Sequence, residues 1–284
     1  MKRKTIKDIS VMKKAGKKIS MLTAYDYFSA KLIDQAGVDI ILVGDSLGMV
    51  IQGKENTLQV ELEDIIYHTK MVKRGSKNAL ITADLPFMTY QADTAEAVKN
   101  AGRVIKAGAS AVKLEGGREI AAAVKKIVEA GVPVVGHIGL TPQSVHSLGG
   151  FKVQGKKKES ALKLFEDALI LQKAGVSAIV LETIPAQLAE LITEELEIAT
   201  IGIGAGEHCD GQVLVYHDLL GYDDQFKAKF VRSYADLNKI ITGAVKDYLD
   251  DLKGEKFPGE EESYYMEEDI FNEVKKELTK NGNN

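Results

Sequence analysis

Val38-Asp39-Ile40-Ile41-Leu42-Val43-Gly44-Asp45-Ser46-Leu47-Gly48 is the stretch from which the rest of the chain is read. Its run of Ile, Leu and Val does not alternate with polar residues, so it predicts a strand covered on both faces, as in a parallel sheet. The run stops at Gly44-Asp45-Ser46, which leaves a carboxylate and a hydroxyl at the C-terminal edge of the strand. In α/β folds that edge is where ligands bind. A single Asp there has a plainer reading, as the cap of the following helix. Repetition along the chain argues for the first.

The decamers Lys106–Glu115 (KAGASAVKLE) and Lys173–Glu182 (KAGVSAIVLE) are close to identical. Each reads as a helix end, a glycine turn, a buried strand and a glutamate. Ala36-Gly37 and Ala130-Gly131 also precede apolar runs. Besides the opening stretch, strands are expected at Ile19–Ala24, Ala79–Asp84, Ala111–Glu115, Pro133–Ile138, Ala178–Thr183, Thr200–Ile203 and Val213–Tyr216. Between them, helical periodicity covers Ser29–Ala36, Glu61–Arg74, Arg118–Ala130, Glu159–Ala174 and Ile184–Glu195. Asp93-Thr94-Ala95-Glu96 predicts a helix start with a capping box, running on to Ala107. Pro86 ends the third strand, because proline cannot continue a central strand. Eight such units predict an α/β fold of the (β/α)8 TIM barrel type, with residues 1–260 as one domain and 261–284 as a polar acidic tail. The alternative is an open doubly wound sheet, but no G-x-G-x-x-G follows the first strand.

Composition narrows the function. The 284 residues are 45% hydrophobic and 27% charged, enough for a large core, and no linker-like segment divides them. A net charge of -4 argues against nucleic acid as the main partner. The single Cys209 excludes an internal disulfide and a multi-thiolate zinc site. No apolar core of signal-peptide length follows the basic start, and no run approaches the roughly 20 apolar residues that span a bilayer. The expectation is a cytoplasmic protein with no membrane partner.

In a barrel, all strand ends converge on one mouth, so Asp45, Asp84, Glu115, His137 and Glu182 would meet in space. Each alone could be a cap or a loop ion pair. Together, carboxylates crowded without cations repel one another, and a divalent ion would relieve that. Oxygen ligands without thiolates favour a hard ion such as Mg²⁺ or Mn²⁺ over zinc. Mg²⁺ takes few protein carboxylates, leaving positions that the ketone and carboxylate of a 2-oxo acid can fill. Lys113 lies two residues before Glu115 and so shares its strand face, pointing inward to the carboxylates or substrate unless it snorkels past the rim.

Other signals are weaker. Gly139–Lys158 is long and loop-like, as functional lids are. Ile201-Gly-Ile-Gly-Ala-Gly206 resembles a phosphate-cradling turn, or else a passage where a ligand nears the backbone. Lys156–Lys158 reads as a solvated charge run able to attract an anionic tail. His146, His208 and His217 have no interpretable spacing. Phe226–Leu252 is long and amphipathic, and Gly254–Asn284 is polar.

Taken in order, Thr23-Ala-Tyr-Asp26, Val43-Gly-Asp-Ser-Leu-Gly-Met49, Ala83-Asp-Leu-Pro-Phe87, Lys113-Leu-Glu-Gly-Gly117, Gly136-His-Ile-Gly-Leu-Thr-Pro142, Gly149-Gly-Phe-Lys-Val-Gln-Gly155, Leu181-Glu182 and Ile201–Gly206 form a recognisable set. Over roughly residues 3–260 the chain resembles the ketopantoate (3-methyl-2-oxobutanoate) hydroxymethyltransferase family. The resemblance implies a barrel of the phosphoenolpyruvate/pyruvate superfamily acting in pantothenate synthesis. It would move a one-carbon unit from 5,10-methylenetetrahydrofolate to 3-methyl-2-oxobutanoate, giving 2-dehydropantoate. It implies one Mg²⁺ per subunit held by Asp45 and Asp84 with Glu115 close by, substrate contacts at Asp45, Ser46, Asp84, Lys113 and His137, and Glu182 as the catalytic base. It also implies a homo-oligomer, commonly a decamer. A 2-oxo-acid lyase of the same superfamily and a non-catalytic metal-binding barrel are the rival readings.

Overall fold

The structure is a computed structural model that describes residues 3–223 and 228–281. Eight strands close into a parallel barrel: β1 Ile19–Thr23, β2 Ile40–Val43, β3 Leu80–Asp84, β4 Ala111–Glu115, β5 Val134–Gly139, β6 Ala178–Glu182, β7 Ala199–Ile203 and β8 Gly211–Leu214. Closure comes from β8 pairing with β1, with Ile19 opposite Gly211 and Leu22 opposite Leu214. That pairing excludes the open sheet.

Every residue of β2, β3 and β4 is buried, as their unbroken apolar runs predict. Alternate residues divide between two cores. Ile41, Val43, Ile81, Ala83, Val112 and Leu114 face the surrounding helices. Ile40, Leu42, Leu80, Ala111, Val135, Ala178 and Val180 fill the barrel, together with Ile9. The two-residue period then carries the inward face to Asp84, Lys113, Glu115, His137 and Glu182 at the strand ends.

The chain also forms helices α1 Ile6–Lys14, α2 Tyr27–Gln35, α3 Leu47–Val50, α4 Leu62–Gly75, α5 Thr94–Ala107, α6 Ala121–Glu129, α7 Val145–Leu148, α8 Lys158–Ala174, α9 Ala186–Glu195, α10 Tyr216–Leu220, α11 Leu237–Lys253 and α12 Glu268–Asn281. The glycines of the twin decamers end α5 and α8 with φ of 122° at Gly108 and 102° at Gly175, conformations that strain other residues. Asp93 caps α5 through the Glu96 N–H at 2.8 Å, one half of the expected box.

Several boundaries differ from expectation. The last strand starts two residues early, because Val213 points into the barrel core while Tyr216 already begins α10. The long amphipathic segment becomes helical only after Asp236, whose carboxylate accepts from the Lys239 N–H; Phe226 and Lys227 lie outside the described residues. Residues 204–210 join β7 to β8 without a helix. The polar tail contains α12. By compactness the chain divides into Met1–Tyr234 and Ala235–Asn284. The final residue of the first unit, Tyr234, donates its N–H to the Leu219 carbonyl at 2.8 Å. Among the described residues no helix is long and apolar enough to cross a membrane.

Candidate active site

Asp45, Asp84, Lys113, Glu115 and His137 are all buried at the C-terminal mouth of the barrel. Asp45 follows β2 after Gly44, and its backbone N–H donates to Asp84 Oδ2 at 2.9 Å. Gly44 makes room for this turn: a Cβ there would stand 2.8 Å from Ser46 Oγ. Lys113 is turned inward with its side chain only 5% exposed, so it does not snorkel past the rim. Its Nζ lies 3.0 Å from Asp84 Oδ1 and 3.5 Å from Glu115 Oε1.

His137, on the strand next to Glu115, joins the two glutamates. Its Nδ1 is 3.4 Å from Glu115 Oε1 and 3.3 Å from Lys113 Nζ, and its Nε2 faces Glu182 Oε2 at 3.3 Å. Burial and Lys113 both oppose the imidazolium, yet the Glu115 carboxylate, with Glu182, raises the ring pKa to about 9. Glu115 shows the converse. Burial alone would raise it, but Lys113 and His137 pull it down to about 2. Burial, followed by the neighbouring Asp84 and Glu115 charges, lifts Asp45 well above the ordinary carboxylate range. Burial also raises Asp84, though Lys113 opposes the shift.

Glu182 is less buried, its side chain 16% exposed, and Ser46 is half-buried beside Tyr25, whose OH is 2.8 Å from Ser46 Oγ. After Glu182 the chain turns sharply through Thr183, a β-branched residue at φ 50°. Such a conformation is costly for a β-branched side chain and clusters at functional sites.

The structure adds two residues that sequence reasoning passed over. Gln143 donates from Nε2 to Asp45 Oδ2 at 2.8 Å and to the Leu85 carbonyl at 3.0 Å, and its backbone N–H donates to Glu115 Oε2 at 3.0 Å. Tyr90 places its OH 2.7 Å from Gln143 Oε1 and accepts the Glu115 N–H at 3.0 Å. Neither lies at a strand end. The available signal was Thr141-Pro142, since proline at the start of a turn favours folded backbone over a free loop.

That signal also corrects the loop expected over Gly139–Lys158. Pro142–Ser144 form a 3₁₀ turn that runs into α7, and Leu140, Thr141, Gln143 and Val145 are buried. Exposed residues lie between His146 and Val153, with Phe151 56% and Val153 40% exposed, and again at Lys156–Lys158. The Ile201–Gly206 turn differs from a phosphate cradle as well. A Cβ on Gly202 would meet Cys209 Sγ at 2.9 Å, one on Gly204 the Phe230 ring at 2.8 Å, and one on Gly206 the Ala186 Cβ at 2.5 Å. Packing of protein on protein explains these glycines.

The mouth suits a cation. Three buried carboxylates crowd Lys113 and His137, and burial pushes Asp45 and Asp84 toward protonation, with the Glu115 charge adding to both shifts. Asp84 Oδ1 meets Lys113 as an ion pair but has no aligned hydrogen-bond partner. Among the described residues, no three His, Cys, Asp or Glu side chains form a ready cage. The reason is local: Lys113 stands between Asp84 and Glu115, and both Glu115 oxygens already have partners. Two neighbouring carboxylates fit Mg²⁺, which uses one or two and fills its other positions with water and substrate oxygens.

Solved structures support the fold. Phosphonopyruvate hydrolase in complex with oxalate and Mg²⁺ superposes with a TM-score of 0.60 at 11% identity, covering 98% of this chain and 97% of that one. The 2,3-dimethylmalate lyase of the PEP mutase/isocitrate lyase superfamily gives 0.57 at 13% identity, covering 96% and 98%. Curated relatives are far nearer in sequence. The 3-methyl-2-oxobutanoate hydroxymethyltransferase of Clostridium botulinum (strain Loch Maree / Type A3) is 54% identical over 273 residues, 96% of this chain and 99% of that protein. The enzyme of the same name from Syntrophus aciditrophicus is 57% identical over 254 residues, covering 89% and 93%. The family model for ketopantoate hydroxymethyltransferase matches residues 3–260, across the barrel and α11. The chain belongs to the ketopantoate hydroxymethyltransferase family.

Proposed function

We propose that this chain transfers a hydroxymethyl group from 5,10-methylenetetrahydrofolate to 3-methyl-2-oxobutanoate, forming 2-dehydropantoate for pantothenate synthesis. The observation that carries the reading is the opposition of Glu182 to the Asp45–Asp84 pair across one buried mouth, with Lys113 and His137 between them. Asp45 and Asp84 would hold one Mg²⁺, with Glu115 beside it. When bound, the ion supplies Lewis acidity toward a 2-oxo acid chelated through ketone and carboxylate.

The chain's own residues do the rest. Lys113 and Ser46 face the anionic substrate and fix its orientation. Glu182 takes the proton from C3, the carbon next to the ketone. His137 sets its Nε2 3.3 Å from the Glu182 carboxylate, a charge contact without an aligned hydrogen bond. Water would release the one-carbon unit from the folate as a formaldehyde-level carbonyl with tetrahydrofolate as the leaving group, and the C3 carbanion equivalent then adds to that carbon while its oxygen takes up a proton. Tyr25, Tyr216, His217 and Tyr222 form an aromatic group beside Ser46, with ring centroids 4.7–5.8 Å apart around His217. A flat pterin ring can lie on such a surface. The protein acts in the cytoplasm as a homo-oligomer.

Proton exchange tests the reading without the folate. In heavy water with Mg²⁺, the protein should exchange deuterium into C3 of 3-methyl-2-oxobutanoate, and form product only when the donor is added. Glu182→Gln keeps the size of the side chain but cannot accept the proton, so exchange should fall by about 10²–10⁴-fold. Exchange at the wild-type rate in that variant would move the base elsewhere, with His137 the next candidate.

A further inference from the structure

Gln143 is fully committed. Both hydrogens of its amide are donated, to Asp45 Oδ2 at 2.8 Å and to the Leu85 carbonyl at 3.0 Å. Its oxygen accepts from the Tyr90 OH at 2.7 Å and from Gln91 Nε2 at 3.2 Å. Its backbone N–H reaches Glu115 Oε2 at 3.0 Å. The residue is 4% exposed. Burying an amide this deeply is costly unless every polar atom is satisfied, and here each is. A residue that only filled space would not need an amide.

The partners define the role. From one position after β5, Gln143 fastens the carboxylate that follows β2, the backbone that follows β3 and the carboxylate that ends β4. With one oxygen of Asp45 held, that carboxylate cannot rotate freely away from Asp84. We propose that Gln143 is a positioning residue that fixes the Asp45 carboxylate for the cation and latches the turn at Pro142–Leu148 to the ion site. The proposal rests on the metal reading given above. It follows that ion binding and order in that turn are linked, and linkage is reciprocal: whatever loosens the turn weakens the ion.

Mn²⁺ is the probe, because its free aqua ion gives an electron paramagnetic resonance signal that disappears on binding. Gln143→Met keeps the length and loses the hydrogen bonds. It should raise the Mn²⁺ dissociation constant about 10–100-fold, the range for residues that support metal ligands. Unfolding in EDTA separates this from a general loss of structure, since a merely structural role would lower the metal-free midpoint and leave the Mn²⁺ constant alone. Tyr90→Phe removes the OH that anchors the Gln143 oxygen and also meets the Glu115 backbone, and should shift the Mn²⁺ constant in the same direction by a smaller factor. It also decides the matter if Gln143→Met does not fold. A Mn²⁺ constant within twofold of wild type in a folded variant overturns the inference alone. Wild-type protein that takes up no Mn²⁺ overturns the metal reading and this inference with it.

Discussion

Glu115 and Glu182 face opposite nitrogens of one imidazole: Glu115 Oε1 lies 3.4 Å from His137 Nδ1, and Glu182 Oε2 lies 3.3 Å from Nε2. The two glutamates end near-identical decamers, and their strands, β4 and β6, flank the strand that carries His137. Similar sequence has placed two carboxylates symmetrically about a shared ring, yet their surroundings differ. The Glu115 side chain is 2% exposed and lies against Lys113, whereas that of Glu182 is 16% exposed.

Different surroundings predict different losses. Glu115→Gln would leave the Lys113 ammonium and the His137 ring with one carboxylate fewer in a buried site. Breaking such a buried pair typically costs about 3–5 kcal/mol. Glu182→Gln removes a partly hydrated charge and should cost under about 1 kcal/mol. Urea unfolding of the two variants without metal checks this. Equal losses would mean that the twin glutamates have equivalent structural roles.

Much of this was legible because the barrel obeys a period of two. Once Ile40 and Leu42 are inside, the alternation along β4 forces Lys113 and Glu115 inside too, and the same counting places His137 and Glu182. What stayed hidden depends on contacts between segments distant in sequence. Gln143 meets Asp45 98 residues away, and nothing in the local pattern of Thr141–Leu148 specifies that partner. The glycines of Ile201–Gly206 misled for the same reason. Their need for small size comes from Cys209, Phe230 and Ala186, which a local motif does not contain.

A second prediction concerns a carboxylate away from the mouth. Asp34, near the end of α2, accepts from Ser76 Oγ at 2.8 Å, the Asn78 N–H at 2.9 Å, the Ala79 N–H at 2.8 Å and Asn78 Nδ2 at 2.8 Å, fastening α2 to the turn before β3. Burial alone would raise its pKa, but these donors pull it down to about 2. A folded-state pKa below the unfolded value of about 3.9 adds stability that is complete above that value and is lost as pH falls toward 2. Asp34→Asn sets an NH₂ group against one of the donors and should destabilise by about 1–3 kcal/mol at pH 7. The gap between wild type and variant should hold from pH 7 to 5, shrink below pH 4 and largely close near pH 2. An undiminished gap at pH 2.5 would contradict this account.

The last prediction concerns the exposed part of the segment after β5. Gln143 anchors one end of it at the ion site. At the other end the Gln154 N–H donates to the Thr183 carbonyl at 3.0 Å, one residue from Glu182. Between these anchors, Phe151 and Val153 hold apolar side chains in water at 56% and 40% exposure, without a packing reason within the segment. Two fixed ends at the ion site and at the proposed base, with an apolar middle left in solvent, describe a flap able to fold over the mouth. Closure would exclude bulk water from a reactive carbanion. Chymotrypsin should therefore cut after Phe151 in the free protein. Cleavage that requires an open segment slows by the factor with which ligand favours the closed one, so Mg²⁺ and 3-methyl-2-oxobutanoate at about 100 times their dissociation constants should protect tenfold or more. Gln143→Met should be cut faster than wild type without ligand, because one anchor is gone. Equal cutting with and without ligand would leave the segment a static part of the rim, and the exclusion of water would have to come from the folate itself.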